Sequence, residues 1–95
     1  MEELTADVRE ALLCDGKMEF GQLVTEFGTQ VNARCGFKVQ PTSGVSAIVT
    51  FQGPPPETRP ISSFLFSYAE TLTAAGFWAK ADYTAGYVAV EARGR

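Results

Sequence analysis

The sequence predicts an α+β fold: an N-terminal helix, then two helix–hairpin (αββ) units that share one four-stranded antiparallel sheet with the helices on one face. Three observations predict it. Amphipathic runs end at glycines, alternating β-rich runs follow those glycines, and the second half of the chain echoes the first. The stretch TAAGFWAKADY opens a strand after Gly76-Phe77 much as ARCGFKVQ does after Gly36-Phe37.

The elements follow in order, within a single domain of 95 residues. Residues 1–16 read as the N-terminal helix. Leu4, Val8, Ala11 and Leu12 share one helical face with Asp7 and Glu10 opposite, and Asp15-Gly16 supplies the stop. Residues 17–52 read as the first αββ unit. Phe20, Leu23, Val24, Phe27 and Val31 recur at helical spacing, with Gly21, Gly28 and Cys35 in a narrow stripe beside them. Two glycines inside a helix each cost about 1 kcal/mol relative to alanine, so the competing reading is a helix that starts or breaks at one of them. Gly36 ends the run. Phe37–Gln40 and Val45–Phe51 then form a hairpin around the turn residues Pro41-Thr42-Ser43-Gly44.

Residues 53–60 contain Pro54-Pro55-Pro56 and read as a stiff extended connector. The spacing lacks the PxxP pattern with a flanking base that marks a peptide ligand of that class. Residues 61–95 read as the second αββ unit, with Pro60 suited to the first turn of its helix. Ile61, Phe64, Leu65, Tyr68 and Leu72 make the apolar face, each displaced by 41 from the set beginning at Phe20. Phe77–Tyr83 and Tyr87–Arg93 close the fold as a second hairpin turned at Thr84-Ala85-Gly86.

Composition limits function more than it reveals it. Apolar residues make up 45% of the chain and charged residues 20%, a globular balance rather than a disordered one. The longest uncharged stretch, Val39–Pro56, holds four prolines and two glycines, which excludes a membrane-spanning helix there. With no basic, apolar leader at the N-terminus, the expected location is the cytoplasm. No histidine is present. That removes serine–histidine and cysteine–histidine nucleophiles, histidine general bases and histidine-ligated metals. Cys14 and Cys35 read as free, buried thiols. No cofactor and no metal site are expected.

The chain is acidic, with net charge −3. Residues 1–26 hold seven acids against two bases, a solvated acidic helix by default and a surface for a basic partner by the sharper reading. Period-2 alternation assigns Phe37, Val39, Val45, Ala47, Val49, Phe51, Phe77, Ala79, Ala81, Val88 and Val90 to the core side of the sheet. The other side then presents Lys38, Gln40, Ser46, Ile48, Thr50, Trp78, Lys80, Asp82, Tyr87, Ala89, Glu91 and Arg93. Aromatics on an open, polar face are candidate anchors for a partner, although cross-strand aromatics also stabilise sheets with no ligand.

The expected function is therefore a small, non-enzymatic protein-interaction module, an accessory subunit or inhibitor. Its candidate binding residues are Trp78, Tyr87, Ile48 and Lys80 on the sheet face, and Glu3, Asp7 and Glu10 on the acidic helix. Self-association as a homodimer, through the open face or an exposed edge strand, is the close competitor. A first alternative is single-stranded nucleic-acid binding, with Lys38, Lys80 and Arg93 beside the aromatics. The mixed charges of the face disfavour it. A second alternative is a small enzyme or small-molecule-binding domain, for which Lys80-Ala81-Asp82-Tyr83 offers charged groups but no nucleophile–base pair.

Overall fold

A computed structural model describes residues 2–92, the side chains of Glu2 and Glu3 excepted. Two helices and six strands run in the order α1 (Glu2–Cys14), β1 (Leu23–Glu26), β2 (Thr29–Asn32), β3 (Gly36–Pro41), β4 (Ser46–Gln52), α2 (Ile61–Ala74), β5 (Trp78–Asp82) and β6 (Tyr87–Glu91). No described helix is long and apolar enough to cross a membrane.

Both helices stop by the same hydrogen bonds. Lys17 N donates to Leu12 O and Gly16 N to Leu13 O, while Phe77 N donates to Leu72 O and Gly76 N to Thr73 O. This overlapping pattern needs a left-handed residue after the last turn, and Gly16 and Gly76 supply it at φ +84° and +104°. Pro60 takes the position just before α2, extended at φ −72°, ψ 160°.

β3 and β4 form one hairpin, β5 and β6 the other, and the second strands of the two join at the centre to give the antiparallel order β3-β4-β6-β5. The α+β class and the four-stranded antiparallel sheet stand as read from the sequence. On the covered side lie the aligned rows Phe37–Phe51, Val39–Val49–Val88–Ala81 and Ala47–Val90–Ala79. Leu4, Val8 and Leu12 of α1 and Leu65, Tyr68 and Leu72 of α2 bury against them, so both helices share one face. Full burial of such side chains contributes about 1.5–3 kcal/mol each, which makes this layer the main source of stability. An aromatic column reinforces one end: Phe51 stacks on Phe64 at 4.4 Å, and Phe37 meets Tyr68 edge-on at 6.0 Å. The Arg59 guanidinium covers Phe64 at 4.1 Å.

The helix expected across residues 20–35 is not formed. In its place β1 and β2 make a separate hairpin, with Val24 opposite Val31 and Glu26 opposite Thr29. Its two-residue turn is Phe27-Gly28 at φ +50° and +80°, the backbone of a type I′ turn, and Gly21 lies at φ +82°. A helix cannot pass through three such residues. The spacing of Phe20, Leu23, Val24, Phe27 and Val31 suits a helix, but the turn chemistry overrides it. The helix of the first αββ unit is thus α1 itself, and residues 17–35 are an excursion between its glycine stop and β3. Arg9 Nε on α1 holds this excursion through Glu19 Oε2 at 2.7 Å. Two smaller readings also change. Val45 lies in the turn before β4 and is exposed, not core. Cys14 is exposed and Cys35 half-buried rather than both being buried, and both are free thiols.

The strained Phe27 generates a first prediction. Asparagine adopts the left-handed region far more readily than phenylalanine, and Asn-Gly is the preferred type I′ pair. Phe27→Asn should therefore protect the β1–β2 amides by about 1 kcal/mol in hydrogen exchange. Faster exchange in the variant would mean that the Phe27 ring holds the turn.

Burial generates a second. The Tyr68 phenol is pushed up to about 12, first by burial and then by the nearby Cys35 thiol, with Arg59 opposing. A raised folded-state value favours the neutral phenol. Its stabilising contribution is complete below the ordinary tyrosine range and is lost as pH rises through the folded value. Alkaline titration of tyrosinate absorbance should show a step near pH 12 that Tyr68→Phe removes. A titration unchanged by that substitution would contradict the packing.

A candidate interaction face

Because both helices pack on one side, the opposite side of the sheet is left open, as antiparallel sheets allow. Strand pairing fixes its rows. Across β3, β4, β6 and β5 they read Lys38–Thr50–Tyr87–Asp82, then Gln40–Ile48–Ala89–Lys80, and finally Ser46–Glu91–Trp78 on the last three strands. The structure therefore brings Trp78, Tyr87, Ile48 and Lys80 onto one surface. Trp78 is 52% exposed, while Tyr87, Ile48 and Ala89 are half-buried among their neighbours. Arg93, assigned to this face, lies outside the described residues.

A shallow open groove of about 430 Å³ runs across this surface, lined by Trp78, Lys80, Asp82, Thr84, Tyr87 and Ala89. Its shape follows from residue size. Ala89 lies between Ile48 and Lys80 in the middle row, so the floor drops between the aromatic walls of Trp78 and Tyr87. The wall at Asp82 is fixed: its Oδ1 accepts hydrogen bonds from Thr84 N at 3.1 Å and Ala85 N at 2.9 Å, locking the β5–β6 turn. Across this face, Lys38 and Lys80 are matched by Asp82 and Glu91, all exposed. Such a face offers aromatic contact and mixed charge.

The acidic candidates lie elsewhere. Asp7 and Glu10 are exposed on α1, on the helical side of the sheet, and do not meet Trp78. The Glu3 side chain lies outside the described residues. At the end of the same helix, Asp15 Oδ2 accepts from Lys17 Nζ at 2.9 Å and from Thr71 Oγ1 of α2 at 2.8 Å. These two hydrogen bonds, Lys17 first, hold its carboxyl below the usual range. Among the described residues no group of three histidine, cysteine or acidic side chains is placed to hold a metal ion.

Two exposed apolar features escape a reading by period alone. Phe27, at the tip of the β1–β2 hairpin, has its whole side chain in solvent. Its signal was the dipeptide Phe-Gly between two β-rich runs. Phe66 stands on α2 outside the apolar face that the helical spacing selects, and it lines a groove with Ser62, Ser63 and Tyr83. Its signal was a large aromatic on the flank that should have been polar. Compared with protein-family models, curated proteins and solved structures, the chain matches none of them.

Proposed function

We propose that the chain is a non-enzymatic protein-interaction module that takes its partner on the open sheet face, acting in the cytoplasm as an accessory subunit or inhibitor. The observation that carries this reading is the groove over Ala89, walled by a half-exposed Trp78 and by Tyr87. Aromatic side chains bury large areas at small cost in conformational entropy, and partner hot spots concentrate around them. A rim of both charge signs suits a protein surface, where complementary charges set orientation. Nucleic acid has less support, because binding it draws on a surplus of cations that this face lacks. The exposed acids of α1 form a second, separate surface suited to a basic segment of the same partner.

The test is affinity capture from cell extract, then titration of the captured protein with wild type and Trp78→Ala. Trp78 is exposed enough for its removal to spare the fold, which circular dichroism checks. Loss of a hot-spot aromatic should weaken binding by about thirtyfold or more. The double charge reversal Asp7→Lys, Glu10→Lys should leave this main contact in place. A partner held equally well by wild type and Trp78→Ala would overturn the assignment of the face.

A further inference from the structure

The outer strands of a sheet present unpaired backbone groups, and monomeric proteins blunt them with proline, charge, bulges or a covering segment. The two edges of this sheet are treated differently. On β3, Phe37 N donates to Met18 O and Phe37 O accepts from Phe20 N, each at 2.9 Å, and the strand ends on Pro41. The excursion therefore covers one end of that edge and a proline closes the other. β5 has neither device. Its five residues, Trp78-Ala79-Lys80-Ala81-Asp82, include no proline, and among the described residues no strand or bridge runs along its outer side. Lys80 is its only basic residue, and Asp82 sits two residues away on the same face.

That spacing selects one partner. Antiparallel pairing of β5 with a second β5 about Ala81 sets Lys80 opposite the partner's Asp82 and Asp82 opposite the partner's Lys80. Pairing about Lys80 instead sets lysine against lysine, and directly opposed like charges destabilise a sheet. Pairing about Ala79 leaves both Asp82 carboxylates without a cation. On the helical side Ala81 then meets its own copy and Ala79 meets the partner's Tyr83, so each of these contacts has a small side chain on at least one strand.

α2 adds a flank with an exposed aromatic, Phe66. Thr71 marks the side of α2 facing α1, since its hydroxyl donates to Asp15. Helical spacing puts Ser62, Phe66, Ala69 and Thr73 on the opposite flank, over β5. Phe66 and Tyr83 are each 53% exposed there and line one groove, and Phe66, Ala69, Glu70, Thr73 and Ala74 line a second. Counting back from Gly76, five strand residues of about 3.3 Å and eleven helix residues of about 1.5 Å cover the same length. Ala81 thus stands level with Leu65 and Phe66.

We infer that the chain forms a two-fold dimer by antiparallel pairing of β5 about Ala81. The product is one continuous sheet of eight strands, twice the four of each copy, with the two Phe66 flanks meeting above the join. This inference does not rest on the partner proposed for the open face, although the join runs along β5, the strand that carries Trp78 and one side of the groove.

Sedimentation velocity of the purified chain across a dilution series tests it with no other protein present. Wild type should sediment as a dimer that dissociates on dilution. Lys80→Glu opposes two pairs of like charges by symmetry and should raise the dissociation constant about tenfold. Asp82→Lys should do the same, and an equimolar mixture of the two variants should regain wild-type association, because each altered residue then faces its opposite. Asp82→Lys also loses the cap on the β5–β6 turn, so Phe66→Asp on the exposed flank provides a second variant, expected to be monomeric and folded. A wild type monomeric at every concentration would overturn the inference. So would a mixture no tighter than either variant alone, or a dimer abolished by Trp78→Ala and indifferent to Lys80 and Phe66.

Discussion

The seam between β4 and β6 is the interaction on which the rest of this structure depends. Ala47 faces Val90 and Val49 faces Val88 across it, and all four side chains are fully or almost fully removed from solvent. An isolated two-stranded hairpin is marginal in water, and a helix laid on two strands leaves apolar surface uncovered. Joining the two hairpins through their second strands yields four strands wide enough to bury two helices. It also fixes which side those helices take. Since Val49 and Val88 point to the same face, α1 above β3 and α2 above β5 must lie together, and α1 and α2 pack in direct contact. The open face, its groove and the two unlike edges are consequences of that single join.

Much of this was legible in the residues. Period-2 alternation in Ala47–Phe51, Ala79–Ala81 and Val88–Val90 gives the inward and outward sets correctly, because an antiparallel sheet with one solvated face imposes that alternation directly. The glycine stops were legible as well, since Gly16 and Gly76 terminate their helices by equivalent hydrogen bonds. The excursion was not. Phe20, Leu23, Val24, Phe27 and Val31 satisfy a helical period, yet Val24 and Val31 are strand partners. What decides between the two is the Phe27-Gly28 turn, and phenylalanine is a poor advertisement for a left-handed residue. The misreading displaced the internal correspondence too. The helices and their glycine stops are offset by 60, Leu12 to Leu72 and Gly16 to Gly76, whereas β3 and β5 are offset by 40, Gly36 to Gly76 and Phe37 to Phe77. The difference of 20 is the separation of Gly16 and Gly36, the two glycines that bracket the excursion.

The candidate site was legible in membership but not in shape. Trp78, Tyr87, Ile48 and Lys80 follow from alternation alone. The depression at Ala89 depends on cross-strand register, which no local pattern supplies, and so does the pairing of Lys80 with Ala89 rather than with another β6 residue. The sequence offers the acidic helix and the aromatic sheet face as two surfaces without saying how they lie to one another. The sheet separates them, because α1 lies on its opposite side. Phe66 escapes because helical periodicity sorts residues into one buried face, whereas Phe66 stands as a single large aromatic on the otherwise mostly polar flank toward the edge of β5.

The central claim is that the helices cover one face of the sheet and leave Trp78 on the other, open to solvent. Trp78 is the only tryptophan, so its fluorescence reports on that face alone. Measured as emission maximum and acrylamide quenching over a range of protein concentrations, it should be red-shifted and readily quenched in the dilute monomer. The proposed β5 dimer sets the partner's Thr84 beside Trp78, so the lowest concentrations give the deciding reading. Blue-shifted emission that stays protected in the monomer would contradict the account, because it would place Trp78 beneath a part of the chain that this fold puts on the other side.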